Sequence, residues 1–535
     1  MTVLVFQLLG GIGLFLFGMV LLTDGLKYFA GEALRRALVR FTGTPIKAFG
    51  SGALVTLLVQ SSSATTVTVI GFVSAGLLTF PQAIGVVFGA SLGTTGTGWI
   101  VSVLGLKVNL GFYALPVVGA GAFLKLLGRA RWKGLGAALG GFGLIFVGIE
   151  TLQEGMTGLS NVWDLASLPA TGFTGHFFAM SVGILMTVIM QSSSAAVATT
   201  LTGLHAGAVG FEQAASLVIG AAIGTTVTGA LAVIGGSVSA KRTACAHIVF
   251  NLATGLIALI LLPVFLKLIS WAQVHLSLEP GAVSLAAFHS IFIGVGVLIF
   301  LPMVHPFARV IERLISDKEG FALVNNLDDS LLLSPAVALE ASRRALAELA
   351  VSLCGVVSAG VAHPSGAVDR RAGEEIGQAL GKVQEFFSRI PPLGSAQPPS
   401  EDRMAQIHAI DHLTRLHAHL SLPPGPQRML RHPRLWPLME RCRAVLGAAS
   451  TGLAGKGADN WWEPVRDGAA ELSDLRRKAR PTVLAETARG EWSPSEALDV
   501  LDAVRWLDRV SYHIWRVTNY LAGPRTPEVS EDTEH

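Results

Sequence analysis

One short polar run occurs twice in this chain, each time inside long apolar surroundings. "VQSSSATT" covers residues 59–66 and "MQSSSAAV" covers residues 190–197, 131 positions further on. Laying residues 48–105 on 179–236 without a gap puts Gln60-Ser61-Ser62-Ser63-Ala64 on Gln191-Ser192-Ser193-Ser194-Ala195. Thr68 then falls on Thr199, Phe80 on Phe211, and Gln82 on Gln213. "GASLGTTGTG" (89–98) falls on "GAAIGTTVTG" (220–229), and upstream "GLFLFGMVLLTDG" (13–25) resembles "GLIFVGIETLQEG" (143–155). A gapless match of this length marks an internal duplication, and it constrains the fold more than any other feature.

The surroundings decide what kind of duplication it is. Residues 1–310 carry 14 Lys/Arg and 7 Asp/Glu, which leaves 56 of the 77 charged residues to the last 225 positions. Such a split separates a membrane part from a soluble part near residue 310. A spanning helix needs about 20 apolar residues. Residues 4–26, 82–104, 109–127, 135–153, 212–235, 246–268 and 284–304 meet that need. The opening "MTVLVFQLLGGIGLFLFGMVLL" has no basic start and no A-x-A site, so it reads as a retained span rather than a signal peptide. The segments flanking each QSSS are too short and too polar to cross. Each is expected to form a re-entrant hairpin with its tip near the membrane midplane.

Each repeat then contains a span, a hairpin and two more spans. Three crossings is an odd number, so the second copy must insert upside down. Basic residues support this. The loop after the first span holds Lys27, Arg35, Arg36, Arg40 and Lys47, whereas residues 155–178 hold no Lys or Arg. The clusters at 128–133, 241–242 and 309–313 fall on the side of the first loop, and Lys107 and Lys267 fall opposite. The basic side is cytoplasmic, which puts the N-terminus outside and the C-terminal part inside. Inverted repeats with broken segments are a transporter layout in which the breaks mark the binding site. The expected breaks are the QSSS tips and the two GTT stretches.

The residues after each tip, "ATTVTVIGFV" and "AAVATTLTGL", read as helices. Their N-termini would present free N–H groups and a positive dipole end, which suits an anion. Serine hydroxyls and glutamine amides can donate to anion oxygens. Gln, Thr and backbone oxygens can hold a hard cation such as Na⁺. No Lys or Arg lies in these segments, so a co-bound cation is expected to offset the anion's charge. Small and hydroxyl residues also serve helix packing alone, but two copies at equivalent positions point to a site.

Paired QSSS runs, each followed by G-x-x-x-G-T-T, resemble the type II sodium-phosphate cotransporter family over residues 1–310. The resemblance implies a sodium-driven phosphate symporter working by alternating access. It implies that Gln60, Ser61, Ser62, Ser63, Gln191, Ser192, Ser193 and Ser194 form the phosphate and sodium region. Thr65, Thr66, Thr94, Thr95, Thr225 and Thr226 are further sodium candidates. The family usually has Asn two residues before the Gly-Thr step, where this chain has Ser91 and Ala222. Ala222 has no side-chain ligand to offer. A phosphate exporter or channel gated by the C-terminal domain, and a phosphate sensor that no longer transports, are the rival readings.

The expected architecture is therefore all-α and polytopic. Residues 1–130 form the first repeat, 131–310 the second repeat with an extra span, 311–330 a linker, and 331–535 a soluble cytoplasmic helical bundle. "LDDSLLLSPAVALEASRRAL" (327–346) resembles the start of the PhoU-like domain found in bacterial members. His408 and His412 share a helix face but lack an acidic cluster, so they read as solvated helix positions and no metal is expected. His205, His247, Asn251 and His289 read as helix-packing residues. Cys245, Cys354 and Cys442 are widely spaced and are expected to be reduced. No P-loop, GxSxG, HExxH or nucleic-acid module occurs, so neither enzymatic activity nor nucleic-acid binding is expected. The expected location is the inner membrane. The expected partners are inorganic phosphate, Na⁺ and the lipid bilayer, with a homodimer as an available assembly and no cofactor beyond the coupling ion.

Overall fold

The computed structural model describes residues 2–40, 42–108, 110–129, 131–160, 172–231, 233–234, 237–316, 321–327, 329–332, 335–362, 370–391, 401–420, 422–458 and 460–521. The described residues are helical, with no strand among them. They form two compact units: residues 1–73 with 77–317, and residues 318–535 with 74–76.

The first unit begins with α1 (Thr2–Arg40), α2 (Pro45–Val59), α3 (Ser62–Ser74) and α4 (Phe80–Trp99). A π-helix (Ile100–Lys107) continues α4, followed by α5 (Gly111–Leu127). Then come α6 (Arg131–Ser160), α7 (Gly172–Met190), α8 (Ser193–His205), α9 (Phe211–Leu231), α10 (Val238–Ile260), α11 (Leu262–His275), α12 (Ala282–Phe300) and α13 (Val304–Leu314). Turn chemistry sets several starts. Thr44 caps α2 by accepting from Lys47 N at 3.3 Å, with Pro45 in the first turn where its missing N–H costs nothing. Gln82 reaches back to Thr79 N at 2.8 Å, and Gln213 does the same to Gly210 N at 2.9 Å.

Packing depends on glycine. α2 lies against α4, and α7 lies against α9. A Cβ on Gly52 would strike the Val86 backbone, and one on Gly183 would strike the Leu217 backbone, 131 residues on in both helices. Gly89 meets Phe49 O as Gly220 meets Met180 O. Gly93 meets Ala53 O at 2.5 Å, and Gly224 meets Ile184 O at 3.0 Å. In each pair the two backbones touch directly, as small residues allow in apolar helix packing. α1 packs along α6, the opening helices of the two sequence copies. A phenylalanine cluster joins α4, α10, α12 and α13: Phe88 stacks on Phe250 at 4.2 Å, and Phe300 meets Phe307 at 5.6 Å.

Eight helices among the described residues are long and apolar enough to cross a membrane, and seven of them lie in the first unit. The boundaries correct the sequence expectations in four places. The expected span 246–268 is divided into α10 and α11 at Leu261, because Pro263 cannot donate to the helix ladder and its ring crowds the preceding turn. The expected span 109–127 is a helix of 17 residues. The flank before the second QSSS, expected to be too short, forms α7 with 19 residues, whereas α2 has 15. The GTT stretches, expected to be breaks, lie within α4 and α9. Their threonine hydroxyls bond to carbonyls of their own helices (Thr94 to Ala90 O, 2.8 Å) rather than to a break in the chain. The irregularity in the first copy comes one turn later, as the π-helix. Part of the 155–178 loop lies outside the described residues.

The second unit contains α14 (Ala322–Asn325), α15 (Asp329–Leu332), α16 (Pro335–Ala362), α17 (Arg370–Ser388), α18 (Glu401–Ala418), α19 (Pro424–Met429), α20 (Trp436–Leu453), α21 (Trp462–Ala488) and α22 (Pro494–Leu521). α16 meets the length and apolarity of a span, yet it is the inner helix of this bundle. Its Leu346, Leu349, Leu353 and Val357 are buried, and it packs on α17, α20 and α22. His412, expected to be solvated, is 7% exposed, with its Nδ1 2.9 Å from Nδ1 of His513. His408 stacks on Tyr520 at 4.8 Å, and His417 bonds to Gly373 O at 2.8 Å. The three cysteines are free; burial pushes the Cys354 thiol up to about 12 and the Cys442 thiol up to about 11.

Candidate functional site

The glutamine of each QSSS run is the turn residue between two helices. Gln60, between α2 and α3, has φ 57°, and Gln191, between α7 and α8, has φ 52°. This left-handed backbone favours glycine, and another L-residue there costs about 1–2 kcal/mol. Both motifs thus carry a strained turn residue where glycine would sit without strain. Each amide folds back on the helix it ends: Gln60 Nε2 donates to Leu57 O, and Gln191 Nε2 donates to Val188 O at 2.7 Å.

The three serines divide their roles. The first is a helix cap. Ser61 Oγ accepts from Ala64 N at 3.2 Å, and Ser192 Oγ accepts from Ala195 N at 3.2 Å. The second and third begin α3 and α8, where backbone N–H groups have no partner within the helix. Ser62 is half-buried and Ser63 exposed, whereas Ser193 and Ser194 are both buried. Gln60 is buried and Gln191 exposed, so the two tips differ in access.

Thr97 brings the motifs together. Its Oγ1 donates to Gln60 Oε1 at 2.8 Å and lies 3.3 Å from Ser194 Oγ. Thr65 Oγ1 is 2.9 Å from Thr56 Oγ1 and donates to Ser61 O at 3.2 Å, which ties α2 to α3 behind the first tip. Thr23 Oγ1, from α1, donates to Val59 O at 3.2 Å. The other candidates sit elsewhere. Ser290 Oγ, on α12, donates to Thr95 Oγ1 at 3.0 Å and accepts from Trp99 Nε1 at 2.9 Å. Thr94 and Thr225 bond to carbonyls of their own helices. Thr66 and Thr226 are half-buried. His247 and His289 are buried with Nδ1 atoms that have no partner among the described residues, and Asn251 donates to His247 O at 2.9 Å.

Sequence reasoning missed Thr97 and Ser290. A signal for Thr97 existed: "GTTGTG" and "GTTVTG" share a third threonine, Thr97 opposite Thr228. Ser290 had none, because it lies on the helix that the duplication does not include.

The family model for the Na⁺/Pi-cotransporter matches the chain twice, over residues 14–154 and again over 164–304. The chain belongs to the Na⁺/Pi-cotransporter family. This is a family of transporters, and with its apolar helices the chain is a multi-pass membrane protein. Among the relatives of this chain, the "Uncharacterized protein YqeW" of Bacillus subtilis (strain 168) is 35% identical over 207 residues, 39% of this chain and 66% of that protein. The "Putative inorganic phosphate export protein YjbB" of Escherichia coli (strain K12) is 32% identical over 218 residues, 40% of this chain and 39% of that protein. The same name and the same figures hold for the Salmonella typhimurium relative. The chain therefore spans about two thirds of the first of these and about two fifths of the others. No solved structure matches the chain.

Proposed function

We propose that this chain is a sodium-coupled inorganic phosphate symporter in which the two QSSS tips form one central site. The observation that carries the reading is the chain Gln60–Thr97–Ser194, which joins a residue of each motif in a buried place. Backbone N–H groups at the starts of α3 and α8, with the hydroxyls of Ser62, Ser63 and Ser193, supply anion donors. Na⁺ provides the positive charge that these segments lack. The two sequence copies lie inverted across an inner membrane, the α2–α3 and α7–α8 turns are re-entrant tips, and the site is exposed to each side in turn. The N-terminus is outside, and residues 331–535 form a cytoplasmic PhoU-like domain with a regulatory role.

Export is the second reading, favoured by the name of the E. coli relative. Uptake of ³²P-phosphate into proteoliposomes under an inward Na⁺ or K⁺ gradient tests both. Accumulation above the outside concentration with Na⁺ alone is expected. Sodium-independent flux that only runs downhill would reject symport and support export.

A further inference from the structure

The Gln60–Thr97–Ser194 chain has a direction, and the direction assigns chemistry. Thr97 Oγ1 has one proton and two lone pairs. Its proton goes to Gln60 Oε1, 2.8 Å away, because an amide oxygen can only accept. The 3.3 Å contact with Ser194 must then be donated by Ser194. From there the sequence runs Ser194 O–H to Thr97, Thr97 O–H to Gln60, and Gln60 N–H to Leu57 O. Thr97 is 3% exposed, Gln60 7% and Ser194 8%, so all three groups are buried. Gly96, beside Thr97, makes room for Leu57, whose Cδ1 would clash with a Cβ there.

Two consequences follow from the proton count. Ser194 has given its only proton to Thr97, so its oxygen can offer the site lone pairs alone. Ser193, next to it, makes no hydrogen bond among the described residues and keeps its proton. We propose that Thr97 is a positioning residue that turns Ser194 into a cation ligand, leaving Ser193 to bind the anion. The neighbouring hydroxyls of one motif thereby serve opposite charges, and Gln60 anchors the chain rather than touching phosphate. This inference rests on the symport reading above.

The experiment is ³²P-phosphate uptake by the full chain in proteoliposomes, varying Na⁺ at saturating phosphate and phosphate at saturating Na⁺. For Thr97→Val, the Na⁺ concentration at half-maximal flux is expected to rise about tenfold or more, since one oriented charge–dipole contact is lost. The phosphate KM at saturating Na⁺ should stay within about twofold, because the anion donors are untouched. Thr97→Ser keeps the hydroxyl and should restore wild-type Na⁺ dependence, a rescue that a purely packing role would not produce. Ser194→Ala should copy Thr97→Val, whereas Ser193→Ala should raise the phosphate KM and leave Na⁺ dependence in place. The serine pair carries the test if Thr97→Val does not assemble. An unchanged Na⁺ requirement in Thr97→Val, or a phosphate effect in Ser194→Ala with no Na⁺ effect, overturns the assignment. A wild-type protein with no Na⁺ dependence overturns the symport reading itself, and that failure shows before any variant is compared.

Discussion

Acid should weaken the second unit through its buried histidine pair. Burial, with the His513 ring and the Arg516 guanidinium nearby, pushes His412 down to about 3. Burial, with the Arg415 and His419 charges, pushes His513 down to about 4; Asp411 works the other way on both. In the unfolded chain both rings return to about 6.5. Each folded value is depressed, so each ring's contribution is fully present above pH 6.5 and is lost as pH falls towards 4. At pH 4.5 the unfolded rings are charged and the folded ones are not. Two pH units below 6.5 correspond to about 3 kcal/mol per ring as an upper bound. Relaxation and the coupling of the two rings bring the joint loss to about 2–4 kcal/mol. Hydrogen exchange of α18 and α22 amides in the full chain, corrected for intrinsic rates, reads this loss as faster opening at pH 4.5 than at 7.5. The His412→Phe/His513→Phe variant should lose most of that pH step. An equal step in wild type and variant would refute the reasoning.

Three further outcomes are expected. Ser62→Ala or Ser193→Ala should lower phosphate flux at least about tenfold while membrane insertion, checked by surface labelling, is intact. Gln191→Gly should raise thermal stability in detergent by about 1 kcal/mol by relieving the left-handed backbone, yet reduce transport, which separates strain from function. Gly220→Val should abolish accumulation of folded protein on size-exclusion chromatography, because its side chain would overlap Met180 O across the α7–α9 contact.

Much of the framework was legible because membrane burial demands length and apolarity, and these are visible residue by residue. The duplication gave the paired QSSS runs and, through the repeated Gln82 and Gln213, the two matching helix starts. Other features depend on backbone conformation or on distant neighbours. Nothing in "QSSS" says that the glutamine is left-handed, or that its first serine is a cap, until the turn is built. The GTT stretches are expected as breaks from the layout of inverted-repeat transporters, whereas their threonine hydroxyls bond to carbonyls of their own helices, which the pattern does not show. His412 was misread as solvated because its partner, His513, is 101 residues away. Only the local pattern of α18 was available to judge it.

The glycine contacts between α2 and α4, and between α7 and α9, limit the kinds of movement open to a transporter built on them. Where two backbones touch over several turns, neither helix can slide or tilt against the other without collision. Each pair is therefore expected to move as one rigid beam, and under the proposed alternating access displacement of one beam against its surroundings carries the change. Spin labels placed on the two helices of one pair would hold their separation through a transport cycle, whatever the direction of flux. Labels on different beams would report the stroke.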